Sequence, residues 1–277
     1  MPLTRHSRRI ILHAGFHKTG TTSLQANLRG NAKLLLPQWR IQTSDDTYSL
    51  RATAKAARDY SISRDPADLA MVAAQTVLWL AEMDLRPDDQ LLASTEDFAG
   101  HMPGRFGVLD YSAAVDILHA VIELAGQFYK GAVTFEVIFT TRAPGAWLRS
   151  LYFQQAKHPG LTLDFDTFCA TIPKAADHAG VVRKVRRKLG DVPVHLFALE
   201  DLSIRRLGPA EAVYDIAGLP DALRAKLLPT VARNVTPDVS LADAFVAANR
   251  LGLPRNELNK LKDDLLLAAV PLGRKLR

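Results

Sequence analysis

A short apolar run, Ile10 to Leu12, empties into a loop carrying Gly15, Lys18 and Gly20, and Thr21-Thr22-Ser23 opens a helical pattern directly after it. Strand, glycine-bearing loop and helix start in succession make an anion site. The unpaired N–H groups of the first helical turn point at the ligand, and the helix dipole favours negative charge there. Lys18 adds a flexible point charge inside the loop. A strand that runs straight into a helix also begins a pattern of alternating elements, and the rest of the chain continues it.

Residues 22–31 carry helix formers, with Leu24 and Leu28 on one face. The apolar stretch 34–41, broken by Pro37, is a candidate minor strand. Residues 50–60 and Pro66–Met83 read as helices, the second with Leu69, Val72, Ala73, Thr76, Val77 and Leu80 on one stripe and Asp65 as its cap before Pro66. A buried strand over 91–95 ends at Glu96 and Asp97, a glycine-rich loop spans 98–107, and a long amphipathic helix covers 110–127. Val133–Thr141, rich in β-branched and aromatic residues, has the strongest strand pattern and ends at Arg142. Pro144 opens a helix to about residue 155, and helices over 165–172 and 175–189 follow. A strand over 192–199 then ends at Glu200 and Asp201, and the remainder is mainly helical. This alternation predicts a three-layer α/β/α fold with a mostly parallel central sheet, ligands binding beyond the carboxyl ends of the strands. Residues 1–277 read as one domain.

Composition narrows the function classes. Cys169 is the single cysteine among 277 residues, so there is no internal disulfide framework and a reducing compartment fits. The histidines are scattered, with neither H-E-x-x-H nor C-x-x-C, so no metal is expected. No apolar run approaches the roughly 18–20 residues of a membrane span, and the basic start lacks the apolar segment of a signal peptide. The expectation is a cytoplasmic chain. The formal net charge of +6 suits a polyanionic ligand, but the three Trp and six Tyr are not interleaved with basic residues as single-strand nucleic-acid binding requires.

The nucleoside-triphosphate loop is G-x-x-x-x-G-K-[ST], with lysine directly after the last glycine. Here Lys18 precedes Gly20 by two positions, in Gly15-Phe-His-Lys18-Thr-Gly20-Thr-Thr. At this point the sequence resembles the sulfotransferases that use 3′-phosphoadenosine 5′-phosphosulfate (PAPS). Their loop runs lysine, Ser/Thr, glycine and two hydroxyl residues, matched by Lys18, Thr19, Gly20, Thr21 and Thr22, with Ser23 next. The resemblance implies a P-loop-like fold and assigns these residues to the 5′-phosphosulfate. It extends to a second motif, an arginine ending a later strand and a serine eight positions on. Arg142 and Ser150 match it and would grip the ribose 3′-phosphate.

Cytosolic members of that family read Lys-Thr-His after the strand that here ends in Ser94-Thr95-Glu96, so a carboxylate replaces their histidine base. Carbohydrate members use a glutamate base, which by resemblance makes Glu96 the candidate. Asp97 beside it and His17 beside Lys18 remain alternatives. The family's late Arg-Lys-Gly loop is absent, and Arg233 is the nearest candidate for a further 3′-phosphate contact. His13 reads as a packing residue, and the basic run 183–188 as the solvated side of a helix. The implied reaction transfers a sulfuryl group from PAPS to a hydroxyl of a carbohydrate, lipid or small metabolite, releasing 3′,5′-bisphosphoadenosine (PAP) without a metal. The competing readings are a magnesium–ATP-dependent small-molecule kinase and a non-catalytic nucleotide-binding protein.

Overall fold

Five short runs of apolar and β-branched residues form one sheet, and its pleat decides which layer each side chain joins. The computed structural model describes residues 7–36, 38–44, 46–230 and 239–269. In chain order the elements are β1 (Arg8–His13), α1 (Thr21–Leu35), β2 (Arg40–Thr43), α2 (Tyr48–Ser63), α3 (Pro66–Met83) and β3 (Gln90–Ser94). A 3₁₀ turn, Glu96–Ala99, precedes α4 (Ala114–Phe128), β4 (Val133–Thr141), α5 (Pro144–Ala156), α6 (Phe165–Thr171) and α7 (His178–Leu189). Then come β5 (Val194–Ala198), α8 (Leu199–Ser203), a second 3₁₀ turn (Gly208–Ala210), α9 (Glu211–Ala217), α10 (Asp221–Arg224), α11 (Val239–Arg250) and α12 (Arg255–Ala268).

The strands lie in the order β2-β3-β1-β4-β5, and every pair is parallel. β1 is central, with Ile10 opposite both Leu91 and Phe135. Successive side chains of a strand face opposite ways. Ile10 and Leu12 therefore enter a core with residues of α2, α3, α4, α5, α7 and α11, whereas Ile11, Leu92 and Ile138 pack with Leu24, Leu28, Val213 and Tyr214 of α1 and α9. The result is the expected α/β/α layering. From β1 the chain crosses toward β2, and from β4 toward β5, so a crevice opens between these neighbours at their carboxyl ends.

Several boundaries shift, with local causes. The apolar pair Leu34-Leu35 completes α1 instead of opening a strand, and β2 starts at Arg40. α4 starts at Ala114, not residue 110, because Asp110 Oδ1 accepts the Ser112 N–H at 2.8 Å in a turn of its own. Asp177 caps α7 by accepting the Gly180 N–H at 2.8 Å, so that helix begins at His178, not residue 175. Asp65 caps α3 as expected, accepting from the Ala67 N–H at 2.8 Å. Among the described residues no helix is long and apolar enough to cross a membrane.

Candidate active site

The loop between β1 and α1 is built over a buried polar floor. A Cβ at Gly15 would stand 2.6 Å from Cε1 of His13, so only glycine lets the chain pass over that ring. Lys18 is held in the left-handed region at φ 68° and Gly20 at φ 97°. Gly20 also runs against Leu199 and Pro209, where a Cβ would fall 2.7 and 2.9 Å from side-chain carbons. A non-glycine residue in that region costs about 1–2 kcal/mol, an expense that clusters at ligand sites. α1 starts at once, with no side-chain cap and no acidic residue in its first turn. Its leading N–H groups and positive dipole end are therefore left to a ligand.

Beneath the loop the hydroxyls and one imidazole form a directed chain. Thr19 Oγ1 donates to Phe16 O at 2.6 Å and meets Thr140 Oγ1 at 2.8 Å, so Thr140 supplies the proton of that second bond. His13 Nε2 lies 3.4 Å from Thr140 Oγ1, and Nδ1 lies 2.9 Å from Ser94 Oγ. With Thr140 donating onward, the imidazole carries its proton on Nε2 and accepts from Ser94. Burial pushes His13 down to about 3, so the ring stays neutral. His13 is thus the hub of this floor, not a simple packing residue. Thr19 is turned into the floor and its side chain does not border the cleft, because Phe16 and Thr140 consume its hydroxyl.

Above the loop lies a cleft of about 690 Å³ whose walls include Lys18, Thr21, Thr22, Ser23, Arg142 and Ser150. Arg142 stands one residue past β4 and Ser150, nearly fully buried, on α5. Two segments far apart in the chain are therefore joined on one surface because β1 and β4 are neighbours. Lys18 Nζ reaches Gln154 Oε1 at 3.4 Å. Burial, then Lys157 and Arg142, depress its pKa, with Glu96 acting the other way. The hydroxyl of Thr21 is buried and has no hydrogen-bond partner among the described residues.

Sequence patterns missed the far wall, formed by Leu199, Glu200, Ser203, Gly208, Pro209 and Thr230. α1 positions part of it: Asn31 Oδ1 accepts the Leu228 N–H at 2.7 Å, and Asn27 Nδ2 donates to Leu228 O at 3.0 Å. Glu200 Oε1 accepts the Ala143 N–H at 2.8 Å and ties that wall to the segment carrying Arg142. The acids ending β5 were the only local signal for it. Arg233 lies outside the described residues.

The three candidate bases differ in what holds them. Asp97 is paired with Arg58 of α2, and His17 Nε2 approaches its other oxygen at 3.6 Å. The Tyr111 hydroxyl lies 3.3 Å from His17 Nδ1, and burial raises its pKa well above the ordinary value. His17 itself borders the cleft, with Nδ1 beside Tyr111 and Nε2 beyond hydrogen-bond length from Asp97. Its backbone is fixed as well, since Trp147 Nε1 donates to His17 O at 2.8 Å. Glu96 borders the cleft, and Gln25 Nε2 donates to its Oε2 at 3.2 Å. Among the described residues its second oxygen makes no hydrogen bond.

An aromatic block supports Phe16 and His17 from below. Phe16 stacks on His178 with centroids 4.3 Å apart, and Trp147 meets the same imidazole edge-on at 4.6 Å. Among the described residues both ring nitrogens of His178 lack a hydrogen-bond partner, and burial pushes it down to about 4. His101 makes a bond from Nδ1 to Met102 O at 2.8 Å, and Met102, not His101, borders the cleft. Among the described residues no group of three His, Cys, Asp or Glu side chains is arranged to hold a metal ion.

No protein family's profile matches this sequence, and no curated protein matches it. Among solved structures, a sulfotransferase from Alicyclobacillus acidocaldarius is similar over 86% of this chain and 91% of its own, at 14% identity and a TM-score of 0.45. The PezAT chromosomal toxin–antitoxin system of Streptococcus pneumoniae is similar over 94% of this chain and 87% of its own, at 10% identity and a TM-score of 0.35. Likenesses this loose say nothing about what the chain does.

Proposed function

We propose that the cleft binds PAPS and transfers its sulfuryl group to a hydroxyl of an acceptor. The observation that carries this reading is the meeting of Lys18 and the α1 start with Arg142 and Ser150 on one cleft, in the two-motif arrangement of PAPS enzymes. The residues present suit such a ligand. Two cationic side chains and an uncapped helix start converge where two phosphate-type groups would lie. The volume falls within the roughly 300–1,000 Å³ typical of small-molecule sites.

When bound, PAPS supplies the sulfuryl group and leaves as PAP. Lys18 and the first-turn N–H groups of α1 stabilise the negative charge that grows on the departing oxygen. Arg142 and Ser150 hold the opposite end, so the reacting groups are positioned before chemistry begins. Glu96 takes the acceptor's hydroxyl proton as the new S–O bond forms. The acceptor class extends to a carbohydrate, lipid or small metabolite.

Calorimetry with PAP in the presence of EDTA, against ATP with and without Mg²⁺, tests the donor. Tight magnesium-independent binding of PAP supports sulfuryl transfer, whereas magnesium-dependent ATP binding without PAP binding points to a kinase and overturns it. Labelled PAPS offered with a panel of hydroxyl acceptors tests the reaction. Nucleotide binding with no transfer to any of them favours a binding protein.

A further inference from the structure

We infer that Gln25, in the second turn of α1, is the positioning residue for Glu96 and makes that carboxylate the proton acceptor of the cleft. The inference takes the name of the reaction from the proposal above, but its geometry stands separately. Gln25 is buried, and its Nε2 faces oxygens only: Ser94 O at 3.2 Å, Glu96 Oε2 at 3.2 Å, Ser94 Oγ at 3.4 Å and Ser44 Oγ at 3.5 Å. A backbone carbonyl can only accept, so the amide nitrogen, not its oxygen, must point this way. The amide has two N–H bonds for these four oxygens, and the two shortest contacts are Ser94 O and Glu96 Oε2. One N–H therefore anchors Gln25 to the end of β3, and the other holds one oxygen of the carboxylate two residues further on.

The anchor is itself fixed. Ser94 is fully buried, and its hydroxyl donates to His13 in the chain that runs on through Thr140 and Thr19 to the carbonyl of Phe16. The same floor that shapes the phosphate loop thus sets the residue that aims Glu96. Gln25 and the loop are also covalently close, since Gln25 lies five residues after Gly20. A carboxylate with one oxygen held in this way presents the other to the cleft.

Its neighbours are tied to other groups. Asp97 is paired with Arg58, and His17, which also borders the cleft, lies between Tyr111 and Asp97. In the reaction the acceptor O–H proton passes to the Glu96 oxygen that Gln25 does not hold, giving the neutral acid. The acceptor oxygen keeps the electron pair of that bond and forms the new S–O bond. The old S–O bond breaks with its pair retained on the departing phosphate oxygen. Gln25 stays chemically unchanged throughout.

The test reads Glu96 directly. In protein carrying ¹³C-carboxyl glutamate, the Glu96 resonance is identified by its loss in Glu96→Gln and compared between parent and variants at one fixed pH. A carboxyl carbon reports on the donors from which its oxygens accept. Gln25→Met, of similar size, removes the donor held at 3.2 Å from Oε2, so the Glu96 resonance leaves its parent position. Gln25→Asn draws the amide back by one methylene and moves the resonance for the same reason, which keeps the test valid if one variant fails to fold. Lys18, Tyr111, Asp97, Arg58 and His17 are unaltered in these variants. An unchanged Glu96 resonance in a folded Gln25 variant overturns the inference. Failure of the parent protein to bind PAP removes the donor reading instead, and the two outcomes come from separate measurements.

Discussion

Gly15→Ala would place a methyl group where the loop crosses the end of β1. The new Cβ would stand 2.6 Å from Cε1 and 2.7 Å from Nε2 of His13, and 3.1 Å from Oγ1 of Thr21. Carbon contacts are comfortable at about 3.5–4.0 Å, so the ring or the loop must give by roughly an ångström. The ring has little room to turn, because Ser94 and Thr140 hold its two nitrogens at 2.9 and 3.4 Å. Losing one such bond costs about 0.5–1.5 kcal/mol. Forcing an extra carbon into a packed site adds about 1–3 kcal/mol. The expected destabilisation is therefore about 2–4 kcal/mol, a fall in Tm of about 4–10 °C for a chain of this size. Urea unfolding followed by tryptophan fluorescence measures it. In a His13→Ala background the same substitution should cost at least about 1 kcal/mol less, the coupling expected of side chains in contact. Gly30→Ala is the control: it lies inside α1 with nothing within 4 Å of an added Cβ, and should gain about 0.5–1 kcal/mol from helix propensity. A cost below about 0.5 kcal/mol for Gly15→Ala, or a cost indifferent to His13, refutes the close approach on which the loop account rests.

Arg142→Gln should weaken PAP by about 1.5–3 kcal/mol, as for the loss of a charged hydrogen bond, and leave 5′-AMP nearly unaffected; calorimetry with both ligands separates a 3′-phosphate contact from a general loss of charge. Stability should fall with acid because two buried imidazoles are held neutral. Burial holds His13 and His178 at about 3 and about 4, below their ordinary 6.5, so the unfolded chain binds more protons between those limits. That stability is fully present above pH 6.5 and is lost as pH drops toward the folded values, at about 1.4 kcal/mol per pH unit for each ring. Urea midpoints at a series of pH values should show a shallower acid decline in His178→Phe, by one proton's worth. An identical decline in that variant would mean that His178 is not held neutral.

Local pattern carried much of the fold. Apolar runs of strand length, the Asp65-Pro66 cap and the glycine loop each express a backbone preference within a few residues, which is why Pro66–Met83 and Val133–Thr141 appear with the bounds that their sequences imply. Boundaries moved where one side chain captured a neighbouring N–H, as Asp110 and Asp177 do. Such competition turns on geometry that helical periodicity does not register.

The glycine-bearing loop after β1 and the Arg142–Ser150 pair were visible in the chain because each is a short motif of residue types at fixed spacing. That they share a cleft depends on the parallel pairing of β1 with β4. The partners of Gln25, His13 and Asp97 were not readable, although Asp97 stood among the candidate bases. A glutamine on a helix, a histidine on a strand and an aspartate after a strand are unremarkable in composition. Each acquires meaning from partners elsewhere in the chain: Glu96 for Gln25, Ser94 and Thr140 for His13, and Arg58 for Asp97. By itself the sequence determined an α/β chain with a glycine-bearing loop between a strand and a helix start, since strand period, helix period and turn chemistry are local. Tertiary structure alone decided which carboxylate faces the cleft with an oxygen to spare, because burial and hydrogen-bond pairing depend on what the fold brings alongside.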